Sequence, residues 1–276
     1  MHMDIDLAIN PDLARTILTG FIKSEITRAG FSRAVIALSG GIDSALSYVL
    51  AVEALGPDNV LAVRMPYKSS NPDSQEHAQL LIDWQGSPSL TIPITELVDP
   101  LIEELPGEAK NRKGNIMARA RMIVIFDQSE AFKGLVVGTS NKTEILLGYS
   151  TVYGDSACAL NPIGDLYKTQ VRQLARALEI PAAIIDKAPS ADLWAGQTDE
   201  GELGFTYAEV DRLLYLLVDQ RFSPAECIDA GFEADFVHKV VERIRRNQFK
   251  RMLPPIAKLS NRTVGYDFLY LRDWGT

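Results

Sequence analysis

The chain has 276 residues, of which 46% are hydrophobic and 23% are charged, and its formal net charge is −8 at pH 7. This composition is ordinary for a globular protein, and the acidic balance argues against a surface that binds nucleic acid. No segment has the roughly 20 uninterrupted apolar residues of a membrane-spanning helix, and the amino terminus does not resemble a signal peptide. We expect one cytoplasmic domain, residues 1–276, that contacts neither nucleic acid nor a membrane.

Cysteine and histidine are too scarce and scattered to build common catalytic sites. Cys158 and Cys227 form no C-x-x-C or metal-ligand spacing, and the three histidines lie far apart in the sequence. A zinc site or a Ser-His-Asp triad is therefore unsupported. The cysteine usage is typical of a reduced compartment.

Short apolar runs alternate with helical patterns along the first two thirds of the chain. Strands are predicted at 34–38, 59–63, 90–94 and 135–138, and helices at 11–29, 45–55, 74–84, 114–132 and 167–178. Pro93 places the third strand near a sheet edge. From about Phe205 the pattern is helical, and it ends in a basic cluster, residues 243–251, that we expect to be mostly solvated. The predicted fold is α/β, a doubly wound parallel sheet with helices on both faces and a helical carboxy-terminal part.

The first predicted strand runs into a glycine loop, Ser39-Gly40-Gly41-Ile42-Asp43-Ser44. Ligands of open parallel sheets bind beyond the carboxyl ends of the strands, and glycines followed by a helix suit a phosphate. The loop matches neither G-x-x-x-x-G-K-[ST] nor G-x-G-x-x-G, which leaves kinase and hydride-transfer sites unsupported. An acidic residue beside phosphates requires a divalent cation, so Asp43 predicts magnesium. A tight strand–helix turn capped by aspartate explains the same residues equally well.

Three further stretches, together with this glycine loop, resemble the NAD synthetase family of ATP pyrophosphatases. They are residues 114–122, 138–144 and 189–204. The resemblance covers nearly the whole chain and implies an adenine nucleotide alpha hydrolase-like fold. It also implies a reaction in which the carboxylate of deamido-NAD attacks the α phosphorus of ATP and releases pyrophosphate. Ammonia then displaces AMP from the acyl-adenylate and leaves NAD.

The resemblance implies an ATP site in which magnesium is held by Asp43 and Glu144. Lys168 would place its charge on the phosphates, and Arg64 would reach the adenosine. The full implied ATP set is Ser39, Gly40, Gly41, Ile42, Asp43, Ser44, Arg64, Thr139, Lys168 and Ser190. Taken alone, Glu144 and Lys168 would also fit solvated helix ends.

For the second substrate, the resemblance implies that Arg119, Asp199 and Lys250 contact deamido-NAD. Asp155 would receive a proton from ammonium, because only neutral ammonia is nucleophilic. Together with Asp43 and Lys168 it would complete the catalytic set. Arg119 could instead be an exposed helix charge, and Asp155 an ordinary turn residue.

The sequence departs from the family's ammonia-dependent members at three positions: Val152 replaces a lysine, Ala159 an aspartate and Phe249 a histidine. In these positions it looks more like the synthetase half of glutamine-dependent enzymes. The chain has no room for a fused glutaminase domain, so we expect free ammonia or a separate ammonia-supplying partner.

The family resemblance also implies a homodimer with the 115–122 helix near the subunit contact. The apolar stripe Met117, Ala120 and Val124 on that helix fits a dimer contact and a core-facing helix equally well. Two rival functions stay open: a related ligase that amidates a different carboxylate, and a non-catalytic ATP-binding sensor. A tRNA-thiolating enzyme is disfavoured by the acidic charge and the absence of paired cysteines.

Overall fold

The computed structural model describes residues 5–104, 110–194 and 196–264. Its central feature is a parallel sheet of four strands in the order β3-β2-β1-β4, as a doubly wound fold requires. The strands are β1 (Ala34–Ala37), β2 (Val60–Arg64), β3 (Ser89–Thr91) and β4 (Leu135–Val137). β1 is central: Ala34 lies opposite Val60 of β2 on one side and Leu135 of β4 on the other.

Helices cover the sheet and form the carboxy-terminal part. They are α1 (Pro11–Arg28), α2 (Ile42–Leu55), α3 (Pro72–Gln85), α4 (Thr95–Glu104), α5 (Lys110–Phe132), α6 (Lys142–Leu147), α7 (Lys168–Ala177), α8 (Ala182–Ile185), α9 (Asp199–Leu203), α10 (Tyr207–Leu214), α11 (Pro224–Asp229) and α12 (Ala234–Arg246). No helix within the described ranges is long and apolar enough to cross a membrane.

The side chains of β1 alternate between two hydrophobic cores. Ala34 and Ile36 pack in a core with α1, α2, α3, α7 and α8, whereas Val35 packs in a second core with α4 and α5. Period-two alternation in a strand buried on both faces produces this division. The predicted α/β fold with helices on both faces is therefore confirmed.

The elements differ from the predicted ones mainly where they are short. The third strand ends at Thr91, so Pro93 lies beyond it, although β3 does occupy a sheet edge as predicted. Helices α4 and α6 were not predicted. α4 contains Pro100, which breaks the helical pattern in the sequence, and α6 has only six residues.

The carboxy-terminal helices α10 to α12 build a third core, together with Leu147 of α6. Besides Lys250, which the family resemblance had singled out, Arg243 and Arg251 are only partly exposed, contrary to our expectation of a mostly solvated cluster. Arg243 donates to Leu147 O (3.2 Å), Arg251 to Leu146 O (2.6 Å) and Lys250 to Gly148 O (2.7 Å). They bind carbonyls at the end of α6, where the helix itself supplies no donors. This attaches the carboxy-terminal part to an element of the site described next.

Candidate active site

The glycine loop lies at the carboxyl end of β1, where β2 lies on one side and β4 on the other. Gly40 has φ +78°, and a Cβ atom there would come within 2.1 Å of Ser74 O, so only glycine fits. Ser44 Oγ donates to Gly41 O (2.9 Å), and Ser39 N donates to Ser44 Oγ (3.3 Å). The loop then enters α2, whose first N–H groups lie at the point where the strand order changes direction. That position is the usual ligand site of such sheets.

Three helix starts converge beside this loop and bring together Asp43, Glu144 and Lys168. Asp43 and Glu144 lie in the first turns of α2 and α6, and Lys168 is the first residue of α7. The Lys168 side chain is buried, with 1% of the residue exposed. Its Nζ donates to the Asp43 carboxylate and to Glu144 Oε1 (3.2 Å). Glu144 and Lys168 are therefore not solvated residues at helix ends, which was the alternative that the sequence left open.

Asn141 organises this cluster and was not singled out from the sequence. Its side-chain amide donates to Asp43 Oδ1 (2.9 Å), and its Oδ1 accepts from Glu144 N (2.9 Å). Glu144 in turn accepts from Asn141 N (3.3 Å), which completes a capping box at the start of α6. The Asn-x-x-Glu spacing is the signal that could have predicted both the cap and the helix.

The electrostatics of the cluster hold the lysine charged. Burial alone would lower the pKa of Lys168, but the Asp43 and Glu144 carboxylates raise it above its ordinary value. Burial raises the pKa of Glu144 to about 8. The Lys168 ammonium opposes this rise in pKa, and the Asp43 carboxylate adds to it. The carboxylates of Asp43 and Glu144 therefore already flank one cation, the Lys168 ammonium.

This arrangement fits a magnesium ion that is completed by phosphate oxygens. Mg²⁺ commonly takes one or two carboxylates from the protein and its other ligands from phosphates and water. Asp43 and Glu144 supply hard oxygens beside the loop. Within the residues described, no group of three or more His, Cys, Asp or Glu side chains could hold a metal ion.

Asp199 lies behind the cluster, in a second polar layer. It is 4% exposed, and its two oxygens accept from Tyr149 OH (3.1 Å) and Tyr207 OH (3.0 Å). Burial raises the pKa of Asp199, and Lys168 opposes the rise. The Lys168 ammonium lies 5.0 Å from the Tyr207 ring centre. Tyr149 and Tyr207 were not predicted, because nothing local in the sequence indicates that they reach Asp199.

The turn that follows α6 gathers three of the four residues assigned to deamido-NAD and ammonia chemistry. Asp155 Oδ1 accepts from Thr151 N (2.8 Å), Arg119 donates to Val152 O (3.2 Å), and Lys250 donates to Ser150 O (2.6 Å). Burial of the Asp155 carboxyl raises its pKa, although part of the residue is exposed to solvent. These contacts show Asp155 stabilising a turn, which leaves its second oxygen available for a further role.

The remaining predicted residues are spread around the same edge of the sheet. Arg64 ends β2, and its Nε is buried with no hydrogen-bond partner among the described residues. Thr139 follows β4 and is half-buried. Ser190 is exposed, and its hydroxyl accepts from Asp192 N (3.1 Å) rather than from the glycine loop. The contacts of Arg64, Thr139 and Ser190 with ATP stay predictions.

Comparison with known proteins decides the family. A family model described as NAD synthase matches residues 15–254. The chain belongs to the NAD synthase family. It is therefore an enzyme of the ligase class, and its parallel sheet is the α/β fold that we expected from the family resemblance.

The chain is similar over nearly its whole length to proteins named NH(3)-dependent NAD(+) synthetase. It is 56% identical over 269 residues to one from Trichlorobacter lovleyi, which covers 98% of each chain. It is 52% identical over 242 residues to one from Fusobacterium nucleatum, which covers 88% of this chain and 94% of the relative.

Solved structures give the same result. An NH3-dependent NAD synthetase from Campylobacter jejuni has a TM-score of 0.79 and 32% identity, and covers 91% of this chain and 100% of that one. An NMN synthetase from Francisella tularensis has a TM-score of 0.81 and 30% identity, and covers 91% and 99%. The glutamine-dependent NAD+ synthetase of Acinetobacter baumannii is 28% identical with a TM-score of 0.66; the match covers 97% of this chain but 51% of that chain. Val152, Ala159 and Phe249 looked more like the residues of glutamine-dependent enzymes, but the chain as a whole is similar to ammonia-dependent ones.

Proposed function

We propose that this enzyme amidates deamido-NAD to NAD with ammonia, in a reaction that consumes ATP and requires Mg²⁺. The observation that carries the proposal is the convergence of Asp43, Glu144 and Lys168 beside the glycine loop. A non-catalytic sensor has no need of a charged lysine buried between two carboxylates. A catalytic site that must offset phosphate charge does need such groups.

The chemistry proceeds in two balanced steps. A carboxylate oxygen of deamido-NAD attacks the α phosphorus of ATP, the bond from that phosphorus to the bridging oxygen breaks, and pyrophosphate leaves with the electron pair. Ammonia nitrogen then attacks the carbonyl carbon of the acyl-adenylate, the bond from that carbon to the bridging oxygen breaks, AMP leaves with the electron pair, and the nitrogen loses one proton to solvent. The protein contributes mainly position and electrostatic stabilisation.

The residues beside the loop orient the triphosphate for the first step. The N–H groups of the glycine loop and of the α2 start bind phosphate oxygens, and Asp43 and Glu144 would hold Mg²⁺ against them. When bound, Mg²⁺ would neutralise part of the phosphate charge. Lys168, oriented by both carboxylates, lies where it can add a hydrogen bond to the transferred phosphate.

In the second step, Asp155 accepts a proton from ammonium. Its raised pKa makes it a better base than an ordinary aspartate, and one of its oxygens is fixed by Thr151 N. Arg119 and Lys250 both donate to carbonyls of the same turn and would bind the anionic substrate. Asp199, which accepts from Tyr149 OH, would contact the same substrate. We propose that ammonia comes from solution or from a separate partner in the cytoplasm.

A homodimer is also part of the proposal. Met117 and Ala120 are buried in the α4–α5 core, so that stripe does not form a subunit contact. α4 exposes Leu97 and Leu101, and α5, which packs against α4, exposes Ile123 and Phe126. An exposed apolar patch of this kind marks an association surface. Arg119 is exposed on the same helix, one turn before Ile123.

The test is an assay of the purified protein with ATP, Mg²⁺, ammonium and deamido-NAD, with AMP, pyrophosphate and NAD all measured. We expect the three products in equal amounts. A parallel reaction replaces deamido-NAD with nicotinate mononucleotide, because one structural neighbour is an NMN synthetase. Amidation of the mononucleotide alone would favour the related-ligase alternative, and ATP binding without cleavage would favour the sensor.

A further inference from the structure

A second lysine lies beside the glycine loop, on a different element from Lys168. Lys187 follows α8, and its Nζ donates to Ser74 Oγ over 2.9 Å. Ser74 is buried in the first turn of α3, with 3% of the residue exposed. Its carbonyl oxygen is the atom that lies within 2.1 Å of a Cβ placed on Gly40. Ser74 therefore contacts the ammonium with its hydroxyl and the glycine loop with its carbonyl.

The charge of Lys187 is not neutralised, in contrast to that of Lys168. Lys168 contacts two carboxylates, whereas Lys187 forms no salt bridge with any residue in the described ranges. Its hydrogen-bond acceptor is a neutral hydroxyl, and the side chain is only partly exposed. A half-buried ammonium with a neutral acceptor keeps its full attraction for an anion, and two of its three donors are unused.

The β and γ phosphates are the anion that fits this position. The α phosphorus has to face the deamido-NAD carboxylate, so the rest of the triphosphate extends away from the substrate turn and along the loop. When the bond to the α phosphorus breaks, negative charge develops on the pyrophosphate oxygen. Lys168 shares its charge between Asp43 and Glu144, so a second lysine beside the loop would add to the stabilisation of the leaving group by Mg²⁺.

We propose that Lys187 binds the pyrophosphate end of ATP and stabilises the pyrophosphate as it leaves, with Ser74 as its positioning residue. The proposal rests on the proposed function, because it assigns a role within the same ATP site. It makes Lys187 specific for pyrophosphate: the residue contacts neither AMP nor deamido-NAD.

The experiment compares Lys187→Gln and Lys187→Arg with the wild type, and uses Lys23→Gln on exposed α1 as a charge-matched control. We measure kcat, the KM values of ATP and deamido-NAD, and the inhibition constants of the products pyrophosphate and AMP. For Lys187→Gln we expect the KM of ATP and the inhibition constant of pyrophosphate to rise about 10- to 100-fold, as for a lost hydrogen bond to a charged group. AMP inhibition and the KM of deamido-NAD should not change. Lys187→Arg should recover most of the pyrophosphate affinity, and Lys23→Gln should behave as the wild type.

Equal weakening of AMP and pyrophosphate would overturn the proposal, because a general distortion of the site would act on both products. Unchanged pyrophosphate inhibition in Lys187→Gln would overturn it as well. Direct calorimetric titration of each protein with pyrophosphate and Mg²⁺ repeats the comparison without turnover. It separates the two hypotheses: an inactive wild type would contradict the proposed function, whereas wild-type pyrophosphate affinity in Lys187→Gln would contradict this inference.

Discussion

The side-chain amide of Asn141 donates a hydrogen bond to the carboxylate of Asp43 over 2.9 Å and thereby joins the ends of β4 and β1. The same asparagine caps α6 and fixes Glu144 in its first turn. One neutral side chain thus sets the separation of the two proposed magnesium ligands. Their positions depend on a contact made by an uncharged amide, which adds no positive charge beside the ion.

We predict that Asn141→Ala raises the Mg²⁺ concentration needed for half-maximal activity at least about tenfold and costs about 1 kcal/mol of stability through the lost cap. Ser223→Ala is the matched control, because Ser223 caps α11 far from the site in the same way. It should lose similar stability and keep the magnesium requirement. Equal magnesium dependence in both variants would contradict the role of Asn141.

The raised pKa of Glu144 predicts a pH dependence of stability in metal-free protein. Its pKa is about 8 in the folded state against an ordinary value of 4.5, so the folded state binds more protons between these values. Stability therefore falls as pH rises from about 4.5 to about 8. Lys168, whose pKa is raised above 10.5, contributes stability that is fully present throughout this window.

Glu144→Gln removes this slope, so the variant should gain thermal stability relative to the wild type as the pH rises. Melting curves at pH 5.5 and 8 in chelator measure the difference, with exposed Glu76→Gln as the control. Saturating Mg²⁺ should make the wild type more stable than Glu144→Gln, because the ion stabilises the charged carboxylate. A constant difference between the two proteins at both pH values would be inconsistent with a titrating Glu144.

Asp155→Asn tests the proposed proton acceptor. The amide keeps the acceptor for Thr151 N but cannot take a proton from ammonium. We expect kcat with ammonium to fall about 10²- to 10⁴-fold near neutral pH, the usual size of a general-base contribution. The loss should shrink as the pH rises, because neutral ammonia becomes available without a base. Loss of activity by the same factor at every pH would assign Asp155 a structural role.

The oligomeric state of the protein tests whether the exposed α4–α5 face is a subunit contact. Phe126→Asp places a charge in the patch that Leu97, Leu101 and Ile123 complete, so we expect a monomer in light scattering at micromolar concentration. Ile17→Asp on α1 is the control, because Ile17 is also exposed, at 58% against 40% for Phe126, but lies on a different helix. Dimers of unchanged strength in Phe126→Asp would place the contact elsewhere.

The sheet and its loop could be predicted from the sequence because their signals are local. Four apolar runs gave the strands, and the string that follows the first run gave the glycine loop. Helix α6 could not be predicted from periodicity, since six residues complete fewer than two turns. Its signal lay in the cap, Asn141 and Glu144.

Contacts between distant residues set the limit of prediction at the site. Arg243 reaches Leu147 O across 96 residues of sequence, and Asp199 meets Tyr149 across 50. No local pattern indicates such a pair, so Arg243 was wrongly expected to be solvated and Tyr149 was missed. The family resemblance supplied Asp43, Glu144 and Lys168 as separate residues. Their burial as one hydrogen-bonded cluster required the structure.

The transfer of one carboxylate oxygen tests the central claim most directly. Deamido-NAD labelled with ¹⁸O in its nicotinate carboxylate is converted with ATP, Mg²⁺ and ammonium, and the products are analysed by mass spectrometry. Attack of the carboxylate on the α phosphorus predicts one ¹⁸O atom in AMP and none in pyrophosphate. Label in pyrophosphate or phosphate, or AMP without label, would contradict activation through an acyl-adenylate.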